Sequence, residues 1–273
     1  MKTLGKVFLG IVYAILYAPL LVMVIFSFNS AKSTTTFSGF SFRWYLNLFS
    51  DRSLRGILLN TLLISVCAAV LATVLGVIAA YGIYKMRSKK LKSAVNTVTN
   101  VPLINPDIIT GVSLMLLFTF FGTWFLHRSA ILGFWTLLIA HVTFNLPYVI
   151  LNVLPRLNGT DVSLYEAALD LGCTRTKAFW RVVFPGIVPG IVSGFIMAFT
   201  LSLDDFIISY YTNGHYNILA TSLYTAVKKP LSPEYYALYS LIMLAIMLLL
   251  GAVNVIGISS EKRNSNVKKR IGE

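Results

Sequence analysis

The fold of this chain is decided by one polar stretch that separates two long apolar segments. Residues 163–190 read SLYEAALDLGCTRTKAFWRVVFPGIVPG. The Ser163-x-x-Glu166 spacing predicts a capping box, in which Ser accepts a backbone N–H and Glu reaches back to the cap. The residues after Glu166 favour a helix, and Gly172 ends it. A second helical stretch is predicted at 174–183, before Pro185 and Pro189 begin the next long helix. Such a short helix suits a groove on a soluble partner.

The composition places the rest of the chain in a membrane. Of 273 residues, 56% are hydrophobic and only 12% are charged, about half of the roughly 25% that soluble domains carry. The mean hydropathy is +0.75. These values exclude an ordinary soluble enzyme, a disordered protein and a nucleic-acid binder, although the formal net charge is +13. The two cysteines, Cys67 and Cys173, are expected to be free.

Apolar runs long enough to cross a bilayer define the predicted architecture. A spanning helix needs about 20 apolar residues. The runs without charge predict an all-α membrane protein, with one transmembrane domain over residues 1–273 and a first helix that is retained. The six predicted helices lie at about 8–28, 59–84, 101–122, 132–153, 187–210 and 236–257, with a loop at 156–185 between the fourth and the fifth.

The distribution of cations predicts the orientation. Sixteen of the 23 Lys and Arg residues lie on the side of the two termini, the second loop, the fourth loop and the basic tail at 261–273. The positive-inside rule places that side in the cytoplasm. Both termini are therefore predicted to be cytoplasmic.

Three of the ten acidic residues fall in apolar segments: Asp107, Asp204 and Asp205. Carboxylates at membrane depth are costly and often mark an ion or substrate path. Asp204 and Asp205 therefore predict a cation site, although periodicity does not choose between them. The alternative is that one of the pair caps a helix break or pairs with a partner subunit. Asp107 follows Pro106 and either caps the third helix or contacts substrate.

Polar and small residues in the later helices predict helix–helix contacts. His141, with Asn145 four residues on, is expected to form a hydrogen bond to another helix. Gly186, Gly190 and Gly194 recur every four residues, a spacing that allows close approach of a second helix from this or a second subunit. The scattered His and Cys residues have no metal-site spacing. The chain lacks a GxxxxGK[ST] phosphate loop, so we expect ATP and Mg to be bound elsewhere and no catalytic residue here.

The polar stretch resembles the EAA loop of ATP-binding-cassette (ABC) importer permeases. The resemblance rests on Glu166-Ala167-Ala168, on Gly172 six residues after Glu166, and on Phe184-Pro185. It implies a type I importer permease whose loop helix docks on an ATPase subunit. The implied partners are an ATPase dimer, a second, similar permease, an extracytoplasmic substrate-binding protein and membrane lipid.

Shorter segments resemble the spermidine/putrescine permeases, and in particular the second of their two permease subunits. They are Phe28-Asn29-Ser30, Pro106-Asp107-Ile108, residues 199–205 (FTLSLDD) and Ser232-Pro233-Glu234. The resemblance implies a polyamine importer in a bacterial inner membrane, with Asp204 as the pathway acid and Tyr224 and Lys228 near the outer mouth. Two alternatives stay open: a permease for another small solute, and an ion-coupled secondary transporter that uses Asp204 and Asp205.

Overall fold

The computed structural model describes residues 2–32, 36–125, 127, 130–227, 233–248 and 251. Within them the chain is helical, apart from turns, extended connections and one isolated bridge between Asn29 and Phe40. The helices are α1 (Lys2–Ser27), α2 (Arg43–Ser50), α3 (Arg52–Lys85), α4 (Lys89–Ile104), α5 (Asp107–Trp124), α6 (Phe134–Asn158), α7 (Val162–Asp170), α8 (Arg175–Ala178), α9 (Phe184–Asp204), α10 (Ile207–Thr212), α11 (Leu219–Val227) and α12 (Pro233–Leu248).

Five helical segments in the described part of the chain are long and apolar enough to cross a membrane. They are Gly5–Ser27, Arg52–Lys85, Asp107–Trp124, Phe134–Asn158 and Arg175–Asp204. The shorter apolar helix α12 covers the beginning of the predicted span at 236–257, and the rest of that span falls largely outside the described residues. The count of six therefore stays a prediction. Lys228 and the basic tail at 261–273 also lie outside the described residues.

The third predicted helix, at 101–122, is wrong at its beginning. Residues 101–104 belong to α4, which starts at Lys89 after the cap residue Ser88. Asn105 takes an extended conformation (φ −75°, ψ 132°), and α5 starts at Asp107 after Pro106. The break follows from proline, because its ring disfavours the helical conformation of the residue before it.

The fifth predicted helix, at 187–210, is wrong at both ends. A π-helical turn at Phe179–Val183 joins α8 to α9, so one continuous helical segment runs over Arg175–Asp204. Pro185 lies in the first turn of α9 and does not interrupt it. The helix stops at Asp204, because Asp205 is extended (φ −64°, ψ 121°). The predicted loop at 156–185 is correspondingly shorter, since Arg156 lies in α6 and Pro185 in α9.

The described residues form two compact units. Among the described residues, one unit runs up to Leu58 and resumes at Ser222, and the other contains Leu59–Thr221. In the first unit the Tyr45 hydroxyl lies 2.7 Å from the Ser27 hydroxyl and 2.7 Å from that of Ser240. These hydrogen bonds join α1, α2 and α12. Most apolar side chains of α1 are exposed, and Ile15 and Phe8 are each 68% exposed.

The second unit has its core between α3, α6 and α9. Ala72 and Ala80 of α3, Val149 and Val153 of α6, and Ile187 of α9 are buried together. Small residues on α3 let α6 come close, since a Cβ added at Gly76 would lie 2.6 Å from Val149 Cγ1. This core positions α7 and the end of α9, the two regions in which the sequence predicts function.

Candidate functional site

The predicted loop helix is present as α7, but its cap is not the one predicted. Asp161 is the N-cap: its Oδ1 accepts the backbone N–H of Ser163 at 2.9 Å and the Ser163 hydroxyl at 2.7 Å. The capping box of Ser163 with Glu166 is therefore wrong. The hydrogen bonds from the Ser163 hydroxyl and N–H hold the pKa of Asp161 below its usual value. An Asp two residues before Ser163 was the available signal, since Asp caps helices as well as Ser does.

The end of α7 is the one that the sequence predicts. Gly172 has a φ of +84°, and its N–H donates to the carbonyl of Leu169 at 2.9 Å. The N–H of Cys173 donates to the carbonyl of Ala168 at 3.0 Å. This pair of bonds is a Schellman motif, which places a left-handed residue, usually Gly, directly after the helix.

Most of the residues that resemble the EAA motif lie on the open surface of α7. Glu166, Ala167 and Gly172 are exposed, and Ala168 is half-buried. Two large apolar side chains share this exposure: Leu164 is 59% exposed and Leu171 is 87% exposed. An apolar, small-residue surface around one carboxylate can dock on a protein partner.

The segment that leads from α7 to α9 packs against the apolar core of the second unit. Phe179, in the π-helical turn, packs edge to face against Tyr81 of α3, with 5.1 Å between ring centroids. Trp180 packs against Phe184 of α9 at 4.5 Å. Val183 and Ile187 are buried in the core. A displacement of this segment therefore displaces α9 as well.

The predicted seam of small residues lies between α9 and α6 of the same chain. A Cβ added at Gly190 would lie 2.7 Å from the carbonyl oxygen of Asn152, and one at Gly194 would lie 3.3 Å from the Cα of Val149. Further along the same face, Ser202 Oγ accepts a hydrogen bond from Asn145 Nδ2 at 2.6 Å. The sequence leaves open whether this seam lies within one subunit or between two. In the structure it is formed within this chain.

The acidic pair sits where α9 ends and α10 begins, and its two members have different surroundings. Asp205 accepts the backbone N–H of Ser209 at 2.7 Å and that of Ile208 at 3.3 Å, so it caps α10. Asp204, the last residue of α9, is exposed. The geometry separates a carboxylate that supports the helix break from one that is accessible.

Buried His141 connects α6 to this break. Its Nε2 lies 2.8 Å from Ser209 Oγ and 3.6 Å from Asp205 Oδ2. The predicted interhelical hydrogen bond of His141 is confirmed. The sequence did not predict the partner, which is Ser209, four residues after Asp205. Within the described residues, no group of three His, Cys, Asp or Glu side chains comes together as metal ligands would.

The other predicted site residues lie apart from these contacts or cannot be placed. Asp107 is exposed in the first turn of α5, where it is the first helical residue and not the N-cap. Tyr224 belongs to the unit of α1 and α12 and is 43% exposed. Lys228 lies outside the described residues.

The chain combines membrane-length helices, an exposed loop helix joined to one of them and an exposed carboxylate at a helix break. These features fit an integral membrane component of a transport system. The chain belongs to the family of binding-protein-dependent transport system inner membrane components, whose model matches residues 72–259.

Curated relatives match almost the whole chain. The spermidine/putrescine transport system permease protein PotC of Haemophilus influenzae is 37% identical over 262 residues, which cover 96% of this chain and 98% of that protein. The putrescine transport system permease protein PotI of Escherichia coli is 38% identical over 249 residues, which cover 90% of this chain and 85% of that protein.

Solved structures show the same fold at low sequence identity. A bacterial ABC transporter that imports the acidic polysaccharide alginate aligns with a TM-score of 0.69 at 16% identity, over 96% of this chain and 95% of that chain. The MetNI methionine ABC transporter aligns with a TM-score of 0.59 at 18% identity, over 74% and 93%. The predicted fold of a type I ABC importer permease is confirmed, and the chain is a permease subunit.

Proposed function

We propose that this chain and a second, similar permease together enclose the path of polyamines through a bacterial inner membrane. The observation that carries the substrate assignment is the identity of 37% to PotC of Haemophilus influenzae over nearly the full length of both chains. The names of PotC and PotI both state polyamine transport. A cationic cargo also agrees with an exposed carboxylate at a helix break in an apolar chain.

Asp204 is the pathway acid in this proposal. Its carboxylate is exposed, whereas that of Asp205 is engaged with Ile208 and Ser209. An ammonium group of a polyamine gains a charge-assisted hydrogen bond from such a carboxylate. Aromatic faces attract the same cation, and Tyr210 on α10 is 49% exposed. Tyr224 and Lys228 are assigned to the outer mouth by resemblance to the family.

The EAA residues on α7 dock on the ATPase in this proposal. The exposed surface of Glu166, Ala167, Leu164 and Leu171 supplies the apolar contact and the charge, and Gly172 shapes its end. ATP and Mg are bound by the partner ATPase dimer, and this chain provides no catalytic residue. An extracytoplasmic binding protein delivers the polyamine on the opposite side. Both termini and α7 face the cytoplasm, in agreement with the cation distribution.

Transport follows from the connection between α7 and α9. ATP-driven closure of the ATPases moves α7, and the continuous segment Arg175–Asp204 carries that movement to the break at Asp204 and Asp205. Because α6 and α9 pack without a gap at Gly190 and Gly194, they move as one body. Rigid-body rotation of such a pair opens the path alternately to the two sides.

Reconstitution with defined components tests the proposal. The complete transporter (two permeases, ATPase dimer and binding protein) is placed in proteoliposomes with labelled spermidine or putrescine. We expect uptake that requires ATP and the ATPase, with unlabelled polyamines competing and neutral amino acids not competing. Uptake by this chain alone, driven by an ion gradient, would establish the secondary transporter instead. ATP-dependent uptake of another solute, with no polyamine uptake, would keep the ABC assignment and refute the substrate.

A further inference from the structure

A groove of about 660 Å³ lies beside the C-terminal end of α3, next to α7 and α8. Its wall changes character along its length. Apolar residues, Val77 and Ile78, lie on the α3 side. Apart from Thr176, the rest of the wall is aromatic or basic, and it includes Tyr81, Lys85, Tyr165, Arg175, Trp180 and Phe184.

Lys85 is held in this groove by aromatic rings. Its Nζ lies 5.5 Å from the ring centroid of Tyr165 and 5.7 Å from those of Tyr81 and Tyr84. Cation–π attraction positions the ammonium group without neutralising its charge. In the part of the chain that the structure describes, neither Lys85 nor Arg175 has a carboxylate within 4.0 Å. Among the described residues, the groove therefore presents two positive charges that no carboxylate pairs with directly.

The groove extends from the end of a membrane-length helix toward its apolar part. Lys85 is the last residue of α3, and Ile78 lies seven residues earlier, or about 10 Å along the helix axis. Trp180, which is 56% exposed, also lines the groove. Tyr and Trp together with Lys or Arg are typical of the level of the lipid headgroups, and aliphatic side chains are typical of the hydrocarbon level below.

We propose that this groove binds one anionic phospholipid, with its phosphate group between Lys85 and Arg175 and an acyl chain along Ile78, Val77 and Phe184. Charge complementarity favours this occupant, because a basic pocket between membrane helices attracts an anionic headgroup. A zwitterionic lipid offers no net charge to the two cations. Tyr165 lies on α7, so the bound lipid contacts the same helix that meets the ATPase in our proposal. The lipid site itself is independent of which solute is transported.

Native mass spectrometry of the full-length protein in detergent, alone and within the complete transporter, tests this site. Dioleoyl phosphatidylglycerol and dioleoyl phosphatidylcholine are titrated in parallel. We expect one phosphatidylglycerol to be retained per chain, in preference to phosphatidylcholine. Lys85→Gln and Arg175→Gln each lower the affinity about fivefold. Lys85→Arg keeps the charge and retains binding. Lys90→Gln removes an exposed cation of the same region that does not line the groove, and leaves binding unchanged.

Quenching of tryptophan fluorescence places the lipid. Phosphatidylglycerol brominated on its acyl chains is expected to quench the fluorescence of the wild-type protein more than brominated phosphatidylcholine does. Trp180→Phe is expected to remove this difference. The proposal is overturned by equal retention of the two lipids, or by equal losses in Lys85→Gln and Lys90→Gln. It is also overturned if Lys85→Gln releases a partner subunit and no lipid, which would identify the groove as a subunit contact.

Discussion

The carboxylate of Asp205 accepts the backbone N–H of Ser209 at 2.7 Å. This bond begins α10 directly after α9 has ended, and it ties Asp205 to the helix break. The adjacent Asp204 keeps an exposed carboxylate. Two neighbouring acids that are equivalent in sequence thus have separate roles, one in the fold and one, in our proposal, toward the cargo.

Removing the Asp205 side chain is expected to destabilise the protein. Asp205→Ala leaves the N–H groups of Ile208 and Ser209 without their acceptor, and loss of such a cap costs about 1–2 kcal/mol. Asp205→Asn keeps an acceptor oxygen and is expected to lose less. The midpoint of thermal unfolding of the purified protein measures both. Asp170→Ala, at an exposed position of α7, is the control, and an equal loss in that variant contradicts the assignment.

Replacing Asp204 is expected to change affinity for the cargo and not stability. Asp204→Asn removes the charge that we assign to an ammonium group, and the KM for spermidine is expected to rise about tenfold or more. Asp204→Glu keeps the charge and is expected to retain most of the uptake. Initial rates of ATP-dependent uptake over a range of spermidine concentrations give the KM. An unchanged KM in Asp204→Asn removes this residue from the path.

The α6–α9 seam is expected to tolerate a methyl group at one glycine and not at the other. At Gly190 an added Cβ would lie 2.7 Å from the Asn152 carbonyl oxygen, whereas at Gly186 the nearest atom, Thr160 Oγ1, would lie 3.9 Å away. Overpacking of this kind costs about 1–3 kcal/mol. Thermal unfolding should therefore shift downward in Gly190→Ala and not in Gly186→Ala. Equal behaviour of the two variants would show that the helices do not pack so closely in the membrane.

The turn after α7 is expected to require glycine. Gly172 has a φ of +84°, where an L-residue with a Cβ is strained by about 1–2 kcal/mol. Gly172→Ala should reduce transport and co-purification of the ATPase while membrane insertion is retained. Gly159→Ala is the matched control in the same connection, because Gly159 has a φ of −88°. Normal ATPase binding in Gly172→Ala would show that this turn does not shape the docking surface.

Much of the architecture could be predicted from the sequence, because membrane helices depend on long apolar runs and on small-residue spacing. The Gly190–Gly194 seam and the interhelical bond of His141 are examples. The short helix α7 and its end at Gly172 follow from local patterns in the same way. Such signals require no knowledge of distant residues.

The errors lie where neighbouring signals compete or where tertiary contacts decide. Asp161 and Ser163 both stand where a cap can form, and only the backbone geometry selects Asp161. The end of α9 was missed because Phe206, Ile207 and Ile208 continue the apolar pattern across the break. The bond from Asp205 to Ser209 ends that continuity, and hydropathy does not report it. The Lys85 groove needs α3 and α7 together, so spacing within either helix does not reveal it.

The decisive measurement is whether Glu166 couples ATP hydrolysis to polyamine transport. In proteoliposomes that contain the complete transporter, accumulation of labelled spermidine and ATP hydrolysis are measured together for wild type, Glu166→Gln and Asp170→Asn. Both substituted side chains are exposed acids of α7. We expect Glu166→Gln to abolish ATP-driven spermidine accumulation with insertion retained, and Asp170→Asn to transport normally. Normal ATP-coupled accumulation in Glu166→Gln would contradict this expectation.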